Sequence, residues 1–295
     1  MYHHKYRLVI PFLTPAIVLY GVFVLWPYVQ SFYIALTDWR GVSARRNFVG
    51  LQNFINLVKD GNFWNAIGHN AELLIVLPIL TLGIALLFAT LFTQGERGVP
   101  GARVFRVVFF FSYIMGAPIV GVLWSFIYHP NIGLVNAFLG TLHLEGLQRT
   151  WLGDPATSLW AVMAVVVWQS VGFYMVLFIA GIQSIPRTYY EAAVLDGASR
   201  VTMFTRITLP LLWDHVQVAL VYVGIAALDF FTIVAVMTEG GPNRASDVAA
   251  YYLYTTAFRY GQFGYATAMG VLLLLLTLGL SVITLRVTQR ERVEY

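Results

Sequence analysis

The sequence predicts an all-α integral membrane protein of six transmembrane helices, with both termini on the cytoplasmic side. Three observations carry that expectation. The 295 residues are 59% apolar and only 11% charged, where soluble domains run near half and a quarter, and mean hydropathy is +0.72. Six stretches reach the roughly 20 apolar residues that a helix needs to cross the hydrocarbon core: 8–36, 73–92, 104–128, 159–182, 211–237 and 263–285. Finally, Lys and Arg avoid the interiors of these runs and gather in alternate connections. With both termini inside, eleven of the 18 fall on the inner side (Lys5, Arg7, Arg97, Arg103, Arg106, Arg187, Arg200, Arg206, Arg286, Arg290 and Arg292). The positive-inside rule favours that orientation, although Arg45 and Arg46 in the first outer loop run against it locally.

Taken in order, the first run is too long for the apolar core of a signal peptide and no small-x-small cleavage site follows it. Pro11, Pro15 and Pro27 predict kinks within it. The outer segment 47–70 mixes Phe48, Leu51, Phe54, Leu57, Phe63 and Trp64 with polar residues, which predicts short amphipathic helices at the membrane surface. The later outer segment 130–155 holds Trp151 and several glycines, in keeping with an aromatic belt. In the last run Ala266 and Gly270 have the small-xxx-small spacing of close helix packing. The whole chain reads as one transmembrane domain, 1–295.

Composition also excludes classes. With no cysteine, thiolate metal sites and disulfides are absent. No G-x-x-x-x-G-K-[ST] loop occurs, so ATP is not bound in that way. No catalytic constellation or metal motif stands out, and the charge of +4 forms no nucleic-acid stripe. The expected surroundings are lipid.

The connection 183–210 is the longest on the inner side and reads as two short helices. Thr188 with Glu191 suits a capping box. Gly197, after Asp196, stands where a helix end wants positive φ. Ser199 suits the cap of a second helix, and Pro210 the first turn of the next span. Within it, Glu191, Ala192 and Ala193, then Gly197 after three residues, then Ile207, Leu209 and Pro210 after nine more, resemble the EAA loop of the permease subunits of ATP-binding-cassette (ABC) importers. Three other segments resemble the carbohydrate branch of that family: 48–54 (FVGLQNF), 168–186 (WQSVGFYM through AGIQSIP) and 229–242 (DFFTIVAVMTEGGP), with Leu228 where that pattern usually has Phe.

The resemblance covers nearly the whole chain and implies a type I importer permease that is not itself an enzyme. It implies that the helix carrying Glu191 docks on a separate ATPase, which would bind the ATP and Mg. It further implies a second homologous permease, two ATPase copies, an extracytoplasmic solute-binding protein, a sugar or sugar-like solute, and residence in a bacterial or archaeal plasma membrane. Disaccharides, oligosaccharides, amino sugars and polyol phosphates all remain open.

For the solute path, Trp168 and Gln169 on the fourth run suit stacking on and hydrogen bonding to a sugar. His215, Tyr222 and Asp229 recur every seven residues on one face of the fifth. An acid within a span is costly and faces the bundle interior as a rule. Asp229 also suits a rival reading, an ion-coupled secondary transporter; a third is an importer for a non-sugar solute.

Overall fold

The computed structural model describes residues 3–43, 45–93, 101–228 and 230–288. Asp229 lies outside the described residues, as do Arg97, Arg290 and Arg292. The described residues are helical apart from loops and a single isolated bridge between Thr37 and Phe48. Backbone polar groups inside hydrocarbon must be satisfied within the segment itself, which is what helices achieve.

Among the described residues, four helices are long and apolar enough to cross a membrane: Pro11–Ile34, Gly61–Thr93, Ser158–Ser184 and Phe263–Val287. Two bent pairs bring the number to six if each is one span: Ala102–Ile114 with Ala117–Ile127, bent by 107°, and Arg200–Leu211 with Trp213–Leu228, bent by 68°. The run 104–128 is thus not straight. Met115 and Gly116 are extended and Pro118 opens the next helix, so the hydrogen-bond ladder stops and restarts in a new direction. The run 211–237 is also divided, into Trp213–Leu228 and Phe231–Met237.

The chain forms two compact units. The first comprises residues 1–63 and 252–275, the second 64–251 and 276–295. In the first, the opening helix His3–Tyr20 passes through a π-helical turn, Gly21–Leu25, into Trp26–Ile34. The chain then doubles back. Val49 donates to the Leu36 carbonyl and Asp38 to that of Asn47, and Gly50 reverses the chain at φ +61°. From helix Gln52–Lys59, the buried Asn53 amide donates to the carbonyls of both Ala35 and Thr37, each at 2.8 Å. A small core of Ala35, Ala268 and Val271 with Phe54 lies alongside. Ala266 is buried, and a Cβ at Gly270 would press within 3.3 Å of Leu253, which is the close packing its spacing predicts.

Asp60 ties this unit together. Its Oδ2 accepts from the Tyr252 and Tyr265 hydroxyls at 2.8 Å each, while Oδ1 accepts the Asn62 and Phe63 backbone N–H groups at the start of the 33-residue helix Gly61–Thr93. Burial works to raise this carboxyl. The two hydroxyls and two N–H groups outweigh it and hold the group below its ordinary value.

The second unit holds the larger core, built on Ser158–Ser184, of which Val162, Val165, Met175 and Phe178 are fully enclosed. Helix Ala102–Ile114 crosses it at Gly172, where a Cβ would run into the Phe109 carbonyl and lie 2.8 Å from the Phe110 nitrogen. The Tyr113 and Phe173 rings stack beside this crossing at 4.6 Å. Buried Asn70 bridges three segments, donating to the Ala227 carbonyl at 2.7 Å and accepting the Ala249 N–H at 2.8 Å. The loop 238–247 closes on itself: Ser246 donates to the Gly241 carbonyl at 2.6 Å, and Tyr251 packs against Gly240.

Candidate functional site

The connection 183–210 forms a short helical hairpin. Its first helix is Arg187–Leu195 and begins after Pro186 in an extended conformation, with no side-chain cap. Thr188 therefore lies inside the helix, and the Thr188–Glu191 capping box does not form. Proline's fixed φ and its missing N–H let Pro186 set the start instead. The other end behaves as the sequence predicts. Gly197 has φ +73°, and the Ala198 N–H reaches the Ala193 carbonyl at 2.9 Å while the Gly197 N–H reaches that of Val194 at 3.0 Å. These are the paired bonds of a Schellman end.

Ser199 caps the second helix, accepting the Thr202 N–H at 3.2 Å. That helix continues through a π-helical turn, Phe204–Thr208, into Leu209–Leu211. Pro210 accordingly lies near the end of the hairpin's second arm, not in the first turn of Trp213–Leu228, which starts after the 68° bend. A proline and a π turn are among the few recognised causes of such a bend. The Tyr190 hydroxyl lies 3.0 Å from the Thr208 hydroxyl and braces the two arms.

Glu191, Ala192, Asp196, Gly197 and Pro210 are exposed; Ala193, Ile207 and Leu209 are half-buried. Around them the hairpin exposes apolar side chains that a soluble surface would cover: Leu195 is 88% and Val201 72% accessible, and Val194 is also exposed. With Glu191 and Asp196 beside two alanines, the surface is small-featured and apolar with acidic edges. Exposed apolar patches rimmed by polar residues are the kind of surface that interaction sites present.

The solute-path candidates are distributed differently. On helix Ser158–Ser184, the Trp168 ring meets Trp124 edge-on at 5.4 Å. Trp124 in turn packs on Tyr128 at 5.3 Å, and Tyr128 on Trp151 at 6.3 Å. The buried indole N–H of Trp124 has no hydrogen-bond partner among the described residues. Gln169 donates its amide to the Met115 carbonyl at 2.9 Å, so it satisfies the backbone where the run 104–128 breaks. Tyr222 is exposed on Trp213–Leu228, and no hydrogen bond or ring stack joins it to Trp168 or Gln169 among the described residues. His215, on the same face, packs against Gly181. The sequence reading passed over Trp124 and the break at Met115–Gly116; the signal for the break was Gly116 followed two residues later by Pro118.

A bundle of apolar helices with a braced hairpin at one connection has the outline of a membrane transport subunit. Comparison with known proteins makes this specific. Residues 70–293 match the family described as the binding-protein-dependent transport system inner membrane component, and the chain belongs to that family of ABC importer permeases, to which the EAA motif belongs. It is a transport subunit, not an enzyme. It is 44% identical over 275 residues to the diacetylchitobiose uptake system permease protein NgcF of Streptomyces coelicolor, covering 90% of this chain and 78% of that one. It is 32% identical to a probable ABC transporter permease protein of Pyrococcus horikoshii, covering 92% of this chain and 91% of that one, and 29% identical to the multiple sugar-binding transport system permease protein MsmF of Streptococcus mutans, covering 96% of this chain and 95% of that one. Among solved structures, a bacterial ABC transporter involved in import of the acidic polysaccharide alginate has the same fold, with a TM-score of 0.85 over 98% of this chain and 97% of that one at 22% identity.

Proposed function

We propose that residues 1–295 act as one permease domain that carries a sugar or sugar-like solute into the cytoplasm, driven by ATP hydrolysis on a separate subunit. The observation that carries the reading is the hairpin 187–211: a Schellman end at Gly197, a Ser199 cap and the Tyr190–Thr208 brace make a stiff projection whose apolar tip is uncovered. Only a stiff element transmits displacement, and here it is the helix carrying Glu191, Ala192, Ala193 and Asp196 that enters a cleft of the ATPase. Gly197 turns the chain, and Ile207, Leu209 and Pro210 link the hairpin to the helix Trp213–Leu228. The hairpin and both termini face the cytoplasm of a bacterial or archaeal cell. ATP and Mg are held by two copies of the ATPase; a second, homologous permease completes the path, and an extracytoplasmic binding protein delivers the solute. ATP shifts the assembly between states only through its differential affinity for them.

The solute class rests on relatives named for sugar uptake, with an acetylated amino-sugar disaccharide foremost among candidates because NgcF is the more similar one. Trp168, Gln169, Tyr222 and Asp229 are assigned to the path, Trp168 and Tyr222 offering ring faces to a pyranose. The test is purification in mild detergent from native membranes, with mass spectrometry of stoichiometric partners, for the wild type and an Ala193→Arg, Gly197→Asp variant. A second permease and an ATPase should accompany the wild type, and the ATPase should be lost from the variant. A chain that purifies alone and moves solute in vesicles without ATP would overturn the proposal.

A further inference from the structure

Among the cavities of the first unit are a pair of about 340 Å³ each, a size at the lower end for small-molecule sites. Their chemistry is opposite. One is lined by aliphatic and aromatic residues of the opening helix and of 253–274, such as Phe32, Leu253, Val271 and Leu274. The other is lined by charged, amide and aromatic side chains, each of which carries a hydrogen-bonding group. Asp38, Trp39 and Arg40 come from the segment after the opening helix, Asn53 and Asn56 from helix Gln52–Lys59, and Gln262 and Tyr265 from the start of the last helix.

The polar cavity has a rigid frame. Asn53 is committed to the Ala35 and Thr37 carbonyls, and Tyr265 to Asp60. Asp38 accepts the Asn47 side-chain amide and backbone N–H, each at 2.8 Å; these bonds hold its carboxyl below the ordinary value. The Trp39 indole donates to the Ser43 carbonyl at 2.9 Å, the Arg46 guanidinium covers its ring at 4.3 Å, and its carbonyl accepts the Gly264 N–H. On this frame stand groups with unused capacity. The Asn56 amide nitrogen, the Gln262 side-chain amide and the Arg40 guanidinium make no hydrogen bond among the described residues, while Asn56 Oδ1 accepts from Gln52.

We propose that this recess, bounded by the 48–54 motif, is a saccharide subsite for a single neutral, hydroxyl-rich ring. Its one carboxylate and one guanidinium cancel, which disfavours an ion. No group of three potential metal ligands occurs among the described residues. The lining, polar apart from the Trp39 and Tyr265 rings, disfavours an acyl chain, for which the neighbouring apolar cavity is the better host. What remains is a set of amide donors and acceptors, a carboxylate and a guanidinium on a fixed frame, the complement that paired ring hydroxyls require. The saccharide rests on the importer reading above; the recess and its polarity do not.

The test uses the full chain in lipid nanodiscs and saturation-transfer NMR with diacetylchitobiose and with maltose. Asn56→Leu with Gln262→Leu removes two of the unused amides without touching the frame, and Arg40→Ala removes the third group independently. A transfer signal weakened at least fivefold in both variants, and retained in Trp168→Ala, is the expected result. No signal from either sugar in the wild type overturns the subsite, as does a signal lost only in Trp168→Ala. Variants that keep the wild-type signal but fail to capture the solute-binding protein also overturn it, and make the recess a protein contact. ATP-driven sugar uptake by the assembled complex reports separately on the importer reading.

Discussion

Replacing Gly172 and Gly224 by alanine tests how far packing controls this bundle, because the same added methyl should act with opposite sign. At Gly172 the methyl meets backbone: the Phe110 nitrogen lies at 2.8 Å and the Phe109 carbonyl is closer still. A carbon and a carbonyl oxygen settle at about 3.3–3.6 Å, so helices Ala102–Ile114 and Ser158–Ser184 must separate by about 1 Å. A gap of that size forfeits about a quarter to a half of each dispersion contact across the crossing, including the 4.6 Å Tyr113–Phe173 stack. Overpacking of this kind costs about 1–3 kcal/mol, and the upper half applies where the obstacle is backbone. At Gly224 the nearest atoms are the methyl ends of Leu280 and Leu74, at 3.6 and 3.7 Å, which is ordinary contact. There alanine gains up to about 1 kcal/mol of helix propensity. Thermal unfolding of the solubilised protein, followed by tryptophan fluorescence, should place Gly172→Ala below the wild type and Gly224→Ala at or above it. Equal losses at the two positions would refute the reasoning, and so would a Gly172→Ala protein as stable as the wild type.

Asn53→Ala strips the donors from two buried carbonyls, each worth about 1–3 kcal/mol when left unsatisfied, so the unfolding free energy should fall by about 2–6 kcal/mol in chemical denaturation; a loss below 1 kcal/mol would contradict that role. Burial pushes the Asp247 carboxyl, 3.9 Å from the Arg244 guanidinium, up to about 6 from 3.8. The folded state therefore binds a proton the unfolded state lacks between those values: stability is greatest below this window and falls as pH rises through 6. The full penalty above it is about 3 kcal/mol at 1.36 kcal/mol per pH unit, and unfolding midpoints compared at pH 5 and 7.5 should show a slope that Asp247→Asn flattens. Gly197→Ala forces a Cβ into left-handed backbone at φ +73° at a cost of about 1–2 kcal/mol, yet meets no neighbouring atom within 4 Å; its effect should appear as weaker ATPase capture with little change in overall melting.

Legibility followed the distance between a residue and its partner. Gly197 and Ser199 could be placed from sequence because both act on backbone within a few residues, at a helix end and a helix start. Thr188 was legible as a cap by the same local rule, but Pro186, two residues earlier, sets the helix start and leaves Thr188 inside. Gln169 reads as a solute contact; its amide nitrogen also serves a carbonyl 54 residues away, a pairing no local pattern announces. Likewise the 48–54 motif is visible as a string, yet Asn53 acquires its purpose only from Ala35 and Thr37, which the returning chain brings beside it. Six apolar runs were evident from hydropathy, which counts residues and is blind to direction; the 107° break at Met115–Gly116 leaves the average almost unchanged.

That break has a consequence for how the protein is made. The Met115 carbonyl is satisfied by a side chain that leaves the ribosome more than fifty residues later. When the segment 102–127 first enters the bilayer, its sharp bend has no partner in the chain, and hydrocarbon offers none. The bend therefore belongs to the assembled bundle, acquired when Ser158–Ser184 arrives alongside, and Gln169 acts as the late-arriving clasp that lets a segment inserted under one set of rules adopt a shape those rules forbid.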